Sequence, residues 1–253
     1  MQDLKISLLQ IDQAWENPSA NLDRYGELMS GCQTDLFVLP EMFQTGFSMD
    51  TSFAEDMGGP SMKWLKEKSK EHQAAIYTSL MISENENYYN RGVFVEPNGT
   101  VNYYDKRKTF GMAKEDEYFE AGKDEVVVNY KDWKFQLQIC YDLRFPEIVR
   151  NKVHEGAVNY DVILYVANWP EKRIEHWDSL LRARAIENQS FVIAVNRVGV
   201  DGNNFSYVGH SQAIDPAGKF LLKPFNQDGI NSVVMSRGEI RSIREMLPFL
   251  KDM

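Results

Sequence analysis

The chain has 253 residues, 43% of them hydrophobic, with no linker rich in proline, glycine or serine, so a single domain over 1–253 with one large core is expected. Its net charge of -9 argues against a general phosphate-binding surface and against nucleic acid as a partner, while leaving room for a local basic pocket that takes an acidic small molecule. The 2 cysteines, Cys32 and Cys140, imply no disulfide framework, and a free thiol suits a reducing compartment such as the cytoplasm.

The N-terminal Met1-Gln2-Asp3-Leu4-Lys5 lacks the basic start and apolar stretch of a leader, and no run is long enough to span a bilayer, so no membrane association is expected. A strand is predicted over 5–10 and a helix over 21–29. The apolar run Leu36-Phe37-Val38-Leu39 has the character of a buried strand and ends in Pro40-Glu41, which delivers a carboxylate at the strand's C-terminal end. A helix over 61–71 precedes strands over 75–82, 92–96 and 101–104, the last two joined by a hairpin around Pro97-Asn98-Gly99. The third of these strands runs into Asp105-Lys106-Arg107-Lys108, placing ammonium groups just past its end.

Strands over 126–130 and 135–139 follow, with a hairpin turn at Asp132-Trp133. In the second, Phe135, Leu137 and Ile139 alternate with Gln136 and Gln138, as in a half-buried strand. Cys140-Tyr141-Asp142-Leu143-Arg144 lies where this strand stops, and Pro146 suits the first turn of a helix over 147–155. A thiol there is open to substrate yet anchored by the sheet, and a nearby helix start favours its thiolate. The ordinary role of a lone strand cysteine is that of a small buried hydrophobe. Here a carboxylate, an amine and a thiol at one sheet rim argue for chemistry instead. Strands over 162–167 and 191–196 flank a helix over 174–188, and a helix over 238–246 lies near the end. No internal repeat or low-complexity segment interrupts the pattern.

Leu39-Pro40-Glu41-Met42-Phe43, Tyr104-Asp105-Lys106-Arg107 and Cys140-Tyr141-Asp142-Leu143-Arg144-Phe145-Pro146-Glu147 resemble the three signature blocks of the nitrilase superfamily of carbon-nitrogen hydrolases. Ala167-Asn168-Trp169-Pro170, Arg182-Ala183-Arg184-Ala185-Ile186-Glu187-Asn188 and Gly209-His210-Ser211 are similar to further family segments, in the family's order. The wording of the blocks looks most like the omega-amidase branch, which hydrolyses terminal amides of 2-oxo acids. The resemblance implies an α/β fold, a four-layer αββα sandwich, and the mixture of hairpins and crossovers agrees with it. One departure is visible: many relatives carry Lys-x-His-Leu-Phe where this chain has Lys106-Arg107-Lys108-Thr109-Phe110, so the histidine's supporting role is absent or replaced.

An amide is a poor electrophile with a poor leaving group, so its hydrolysis gains from a covalent intermediate, a proton carrier and an oxyanion stabiliser. By resemblance, Cys140 is the nucleophile, Glu41 the proton carrier, and Lys106 with the Tyr141 backbone N–H the oxyanion holder. Neither metal nor organic cofactor is implied. The family's second carboxylate is matched by Glu115, seven residues before Gly122, although Lys114-Glu115-Asp116-Glu117 also has the form of a solvated charge run. Its implied role is to orient Lys106.

For the substrate, Arg144 is the candidate carboxylate partner, as an arginine at this position is in related carbamoyl-amino-acid hydrolases; a structural ion pair is the alternative. Phe47 and Trp169 are candidate apolar walls, or simply core. The resemblance implies a homodimer or higher homo-oligomer. The stripe Trp177, Leu180, Leu181, Ala185 and Asn188 is a candidate contact that must also cover the chain's own sheets. Gly209-His210-Ser211-Gln212-Ala213 has the outline of a serine elbow, but Ser211 begins an expected strand that enters the turn Asp215-Pro216-Ala217-Gly218. His72, His154, His176 and His210 show no metal-ligand spacing. The leading expectation is an amidohydrolase acting on 2-oxoglutaramate and 2-oxosuccinamate. Alternatives are a nitrilase, an N-carbamoyl amino acid hydrolase, or a scaffold that keeps the fold, which would have no physical need for all three reactive residues.

Overall fold

Strands such as Leu36–Val38 and Phe191–Val195, buried at every position, must be covered on both faces. In the computed structural model, which describes residues 2–154 and 157–252, two sheets pack face to face with helices outside each. The first half of the chain runs β1 (Leu4–Gln10), α1 (Pro18–Met29), β2 (Leu36–Val38), α2 (Pro60–His72), β3 (Ala75–Glu84), β4 (Asn87–Val95) and β5 (Val101–Asp105). After the short α3 (Glu115–Tyr118) come β6 (Val127–Tyr130), β7 (Trp133–Ile139), β8 (Val153–His154), β9 (Ala157–Val158), β10 (Val162–Val166) and α4 (Ile174–Asn188). The remainder is β11 (Phe191–Val195), β12 (Val198–Val200), β13 (Ser206–Val208), β14 (Ser211–Ile214), β15 (Phe220–Phe225), β16 (Gly229–Met235) and α5 (Arg237–Met246).

The two six-stranded sheets have orders β16-β1-β2-β3-β4-β5 and β15-β14-β11-β10-β7-β6. Each has three parallel neighbours at its centre, β1-β2-β3 and β7-β10-β11, with antiparallel strands outside them. Parallel pairing requires crossovers, which α1, α2 and α4 supply. Alternate residues of each strand then serve different layers. Leu8, Val38 and Phe94 meet Phe135, Leu164 and Ile193 between the sheets. Phe37 and Ile76 turn the other way onto Tyr25 of α1 and Leu65 of α2, and Ile163 and Val192 turn onto Trp177 and Leu181 of α4. This is the expected four-layer αββα sandwich.

The stripe on α4 is largely consumed by that packing: Trp177, Leu181, Ala185 and Asn188 are buried and Leu180 is half-buried. Because α4 has no side-chain N-cap bond, this burial, worth roughly 1.5–3 kcal/mol per large apolar side chain, is what holds it. The helix expected over 147–155 does not form; a 3₁₀ turn, Pro146–Ile148, leads instead toward β8, and Glu155 lies outside the described residues. Asn151 explains the break. Its side chain accepts from Lys152 N and Asn159 N and donates to the carbonyls of Tyr160 and Asn188, bonds that compete with helix formation. The turn placed at Asp132-Trp133 is Lys131-Asp132, both at positive φ, and Trp133 already belongs to β7. β16 was not anticipated, because its residues are mostly half-exposed and carry little apolar pattern. No helix among the described residues is long and apolar enough to cross a membrane.

Two side chains, Tyr77 and Asp142, lock the sheets together near one rim. Tyr77 OH donates to the Gln138 carbonyl at 3.0 Å. Asp142, fully buried, accepts at Oδ2 from Tyr104 OH of β5 (2.8 Å) and from Ile139 N of β7 (3.0 Å), and at Oδ1 from Lys108 N (2.9 Å). Burial pushes its carboxyl up to about 6, against the pull of those hydrogen bonds. A raised folded-state value means that the folded protein binds this proton more tightly than the unfolded chain. Stability on this account therefore falls as pH rises from about 4 through about 6. Asp142→Asn turns an amide nitrogen toward existing N–H donors. It is expected to cost about 2 kcal/mol at pH 7 in urea unfolding, and to flatten stability across that acid window. Coincident unfolding midpoints at pH 7 would rule out this role for Asp142.

Candidate active site

The end of β2 shows how the local sequence aims a side chain. Leu39 N still pairs with the Tyr77 carbonyl at 2.9 Å, but Pro40 has no donor and pairing stops. Thr78 Oγ1 donates to the Pro40 carbonyl at 2.7 Å, and Met42, at φ +44°, donates its N–H to Ser79 Oγ at 2.9 Å. Between these anchors Glu41 is fully buried. Its Oε1 accepts from Asn90 Nδ2 and Lys106 Nζ, both at 2.8 Å, and its Oε2 accepts from Asn168 N at 2.9 Å.

Lys106 follows β5 and is 1% exposed. Its N–H donates to the Asn90 carbonyl at 3.0 Å, and its own carbonyl accepts from Gly122 N at 2.9 Å. A Cβ at position 122 would stand 2.1 Å from the Asp105 carbonyl oxygen, so only glycine permits this approach. The ammonium also contacts both oxygens of Glu115, at 3.0 and 2.9 Å. Glu115 is buried and accepts further from Asn90 Nδ2 (3.0 Å) and Phe110 N (2.6 Å). It is therefore no solvated charge. Burial opposes the Lys106 cation, yet the carboxylates of Glu115 and Glu41 hold it charged well above its ordinary range. Burial raises the Glu115 carboxyl, against the attraction of Lys106.

Cys140 follows β7 with φ +44°, a region that non-glycine residues seldom occupy and that is held here by the surrounding bonds. Its sulfur is 4.0 Å from the Asn168 carbonyl oxygen, and the charge of Glu41 bears on it. The expected thiolate is not favoured. Burial, and then the Glu41 charge, push the thiol well above its usual range despite Lys106. The segment after it is a 3₁₀ turn, Cys140–Arg144, too short to supply the dipole of a full helix.

A cavity of about 480 Å³ opens onto Cys140 and Lys106, and Phe47, Tyr141, Arg144 and Trp169 all line it. Phe47 places its ring 5.1 Å from Lys106 Nζ, and Tyr141 packs against Phe110 at 4.9 Å. The Arg144 guanidinium lies 4.7 Å from the Trp169 ring, and both terminal nitrogens are 3.3 Å from His176 Nδ1. Among the described residues it has no ion pair, so the structural alternative for this arginine is not formed. Lys108 contributes its backbone N–H to Asp142, while its ammonium lies over Phe145 and 3.8 Å from Glu147. Ser211 starts β14, buried, with Oγ donating to Gln10 Oε1 at 2.7 Å. Sequence reading missed Asn90, which bridges Glu41 and Glu115, and gave Asn168 no role of its own. Nothing in the spacing ties position 90 to positions 41 and 115, whereas Asn168 lay in a segment already noted.

The carbon-nitrogen hydrolase family model matches residues 5–245. Omega-amidase YafV of Escherichia coli (strain K12) is 39% identical, covering 100% of this chain and 97% of its own length. The 2-oxoglutaramate amidase of Bacillus subtilis (strain 168) is 34% identical, covering 98% and 96%. Among solved structures, a CN-hydrolase superfamily protein from Xanthomonas campestris, with an arsenic adduct in its active site, superposes with a TM-score of 0.98 at 39% identity, covering 100% of this chain and 98% of its own. A nitrilase-superfamily member from Saccharomyces cerevisiae, 24% identical with a TM-score of 0.84 over 98% of this chain and 95% of its own, shares the fold. With the family match over nearly its whole length and full-length relatives at this level of identity, the chain belongs to the carbon-nitrogen hydrolase family.

Proposed function

We propose that the protein is an amidohydrolase that cleaves the terminal amide of short 2-oxo dicarboxylic acid monoamides, 2-oxoglutaramate and 2-oxosuccinamate, to the 2-oxo acid and ammonia. The observation that carries this reading is the buried Lys106 ammonium held between Glu41 and Glu115 beside the Cys140 thiol. The names of the omega-amidase and 2-oxoglutaramate amidase relatives support the choice of amide.

A thiol that keeps its proton in the free protein calls for base-assisted attack. Glu41 takes the Cys140 proton as the sulfur–carbon bond forms, and Lys106 with the Tyr141 N–H holds the developing oxyanion. Glu41 then passes that proton to the leaving nitrogen, the carbon–nitrogen bond breaks and ammonia departs, leaving a thioester. Water gives a proton to Glu41 as it attacks the thioester, and the proton returns to sulfur when the acid leaves. Glu115 acts by positioning Lys106. Arg144 takes the substrate carboxylate, and Phe47 and Trp169 form apolar walls. The free thiols of Cys32 and Cys140 suit a reducing compartment such as the cytoplasm. Self-association as a dimer or larger assembly belongs to this proposal and needs surface beyond the buried stripe of α4; a monomer in light scattering would remove that part.

Ammonia release over a panel of oxo-acid amides, nitriles and carbamoyl compounds tests the reading, and preference for either of the latter two would overturn the substrate. Cys140→Ala is expected to abolish turnover in a folded protein, and a slow substrate should leave an acyl adduct on Cys140 and none on Cys32 by mass spectrometry. Glu41→Gln and Lys106→Met should each lower kcat by at least about a hundredfold. Since a raised thiol pKa moves deprotonation to higher pH, alkylation of Cys140 by iodoacetamide in the free protein should still accelerate as pH rises past that of an ordinary thiol. A rate already at its plateau at neutral pH would contradict the protonated thiol.

A further inference from the structure

Most arginines that lie deep in this protein have acidic partners. Arg91 pairs with Asp105 and Glu84, Arg184 with Glu187, Arg197 with Asp12, and Arg237 and Arg244 share Asp161. Arg144 and Arg173 differ. Both line the cavity above Cys140, and among the described residues neither has an ion pair. Arg144 lies over Trp169 and against His176, and Arg173 has its guanidinium 5.3 Å from the Phe110 ring. Aromatic faces orient a guanidinium without cancelling its charge. The two cations also sense each other: burial and, after it, the charge of Arg173 oppose the Arg144 cation.

The acids that line the same cavity are engaged elsewhere. Glu16 accepts from Ser48 Oγ, Asp50 from Ser52 N at 3.0 Å, and Asp201 from Tyr207 OH at 2.8 Å and Asn203 N at 2.9 Å. Among the described residues, the two guanidiniums on this cavity therefore have no carboxylate at ion-pair distance in the free protein. A carboxylate has two oxygens and a full negative charge, enough to engage both guanidiniums and relieve their repulsion. A neutral amide relieves nothing. An amino-acid amide brings an ammonium beside its carboxylate, which a pair of cations opposes.

We infer that Arg173 is a second substrate-recognition cation, acting with Arg144 so that the cavity selects amides carrying a net negative charge over neutral and zwitterionic amides of similar length. This rests on the amidase reading above and names the residue that would set its substrate class. The role is one of specificity; Arg173 takes no proton and forms no bond to the reacting carbon.

The test compares kcat/KM of the wild type, Arg173→Met and Arg173→Lys on 2-oxoglutaramate, glutaramate, butyramide and glutamine. Methionine keeps an apolar stem for Phe110 and removes the charge. The preference for each anionic amide over butyramide and over glutamine should fall at least about tenfold in Arg173→Met, the scale of one lost charge-assisted hydrogen bond, with the loss mainly in KM. Arg173→Lys should recover part of it. An Arg173→Met protein that loses the same factor on all four amides, or keeps the wild-type preference, would overturn the inference, as would a wild type that favours butyramide over both anions. A wild type that prefers glutaramate to 2-oxoglutaramate would refute the oxo-acid reading instead, and the inference would stand if that anion preference still collapsed in Arg173→Met.

Discussion

The Lys106 ammonium, enclosed by the carboxylates of Glu41 and Glu115, is the contact from which the rest of the site follows. Removing such ions from water costs several kcal/mol each, so they persist only where attraction and hydrogen bonds offset that cost. Asn90 donates to both carboxylates, Asn168 N donates to Glu41 and Phe110 N to Glu115, so both acids are held by neutral donors as well as by the cation. Burial raises the Cys140 thiol first, and Glu41 raises it further, because a thiolate would add negative charge beside that carboxylate. In the proposed reaction Glu41 therefore takes the thiol proton as the new bond forms.

This cluster exists only at the seam between the two sheets, not on the rim of a single sheet as the chain suggested. Glu41, Asn90 and Lys106 come from β2, β4 and β5 and the turns that follow them, while Cys140 and Asn168 follow β7 and β10 of the other sheet. The ends of β7, β10 and β11 are in register, with Ile139, Val166 and Val195 side by side, so the residues that follow leave the second sheet at one level. Asp142 and Tyr77 fasten the sheets at the same rim. Groups carried on strand ends are held more firmly than groups on free loops, and the positive φ at Cys140 follows Ile139, which is held in β7 and by Asp142.

The cavity itself is electrostatically uneven. The Lys106 cluster lies at one end, whereas Arg144 and Arg173 lie over aromatic rings without an ion pair among the described residues. Under the proposed function, this arrangement suits a substrate with one anionic terminus and one uncharged reactive terminus.

Much of this was legible in the chain. The apolar runs ending at Leu39 and Ile139, the strand ending at Tyr104, and the polar residues just beyond them placed a carboxylate, an amine and a thiol at strand ends, because strand periodicity and chain direction are local properties. The helix over 174–188 was legible for the same reason, whereas the four-layer architecture followed from the resemblance of the signature blocks to the carbon-nitrogen hydrolases. What the chain could not display were long-range polar contacts: Asn90 reaching Glu41 and Glu115, Asp142 joining β5 to β7, and the pairing of β16 with β1 across nearly the whole sequence. The helix over 147–155 and the favoured thiolate were misread from local rules that Asn151, and burial of the thiol beside Glu41, override through contacts made only after folding. Residue type and strand order therefore determined which chemical groups this protein brings to its rim. Their protonation and orientation were decided by the tertiary structure alone, because both depend on which buried charges and hydrogen-bond donors stand within a few ångströms, and sequence distance carries no record of that.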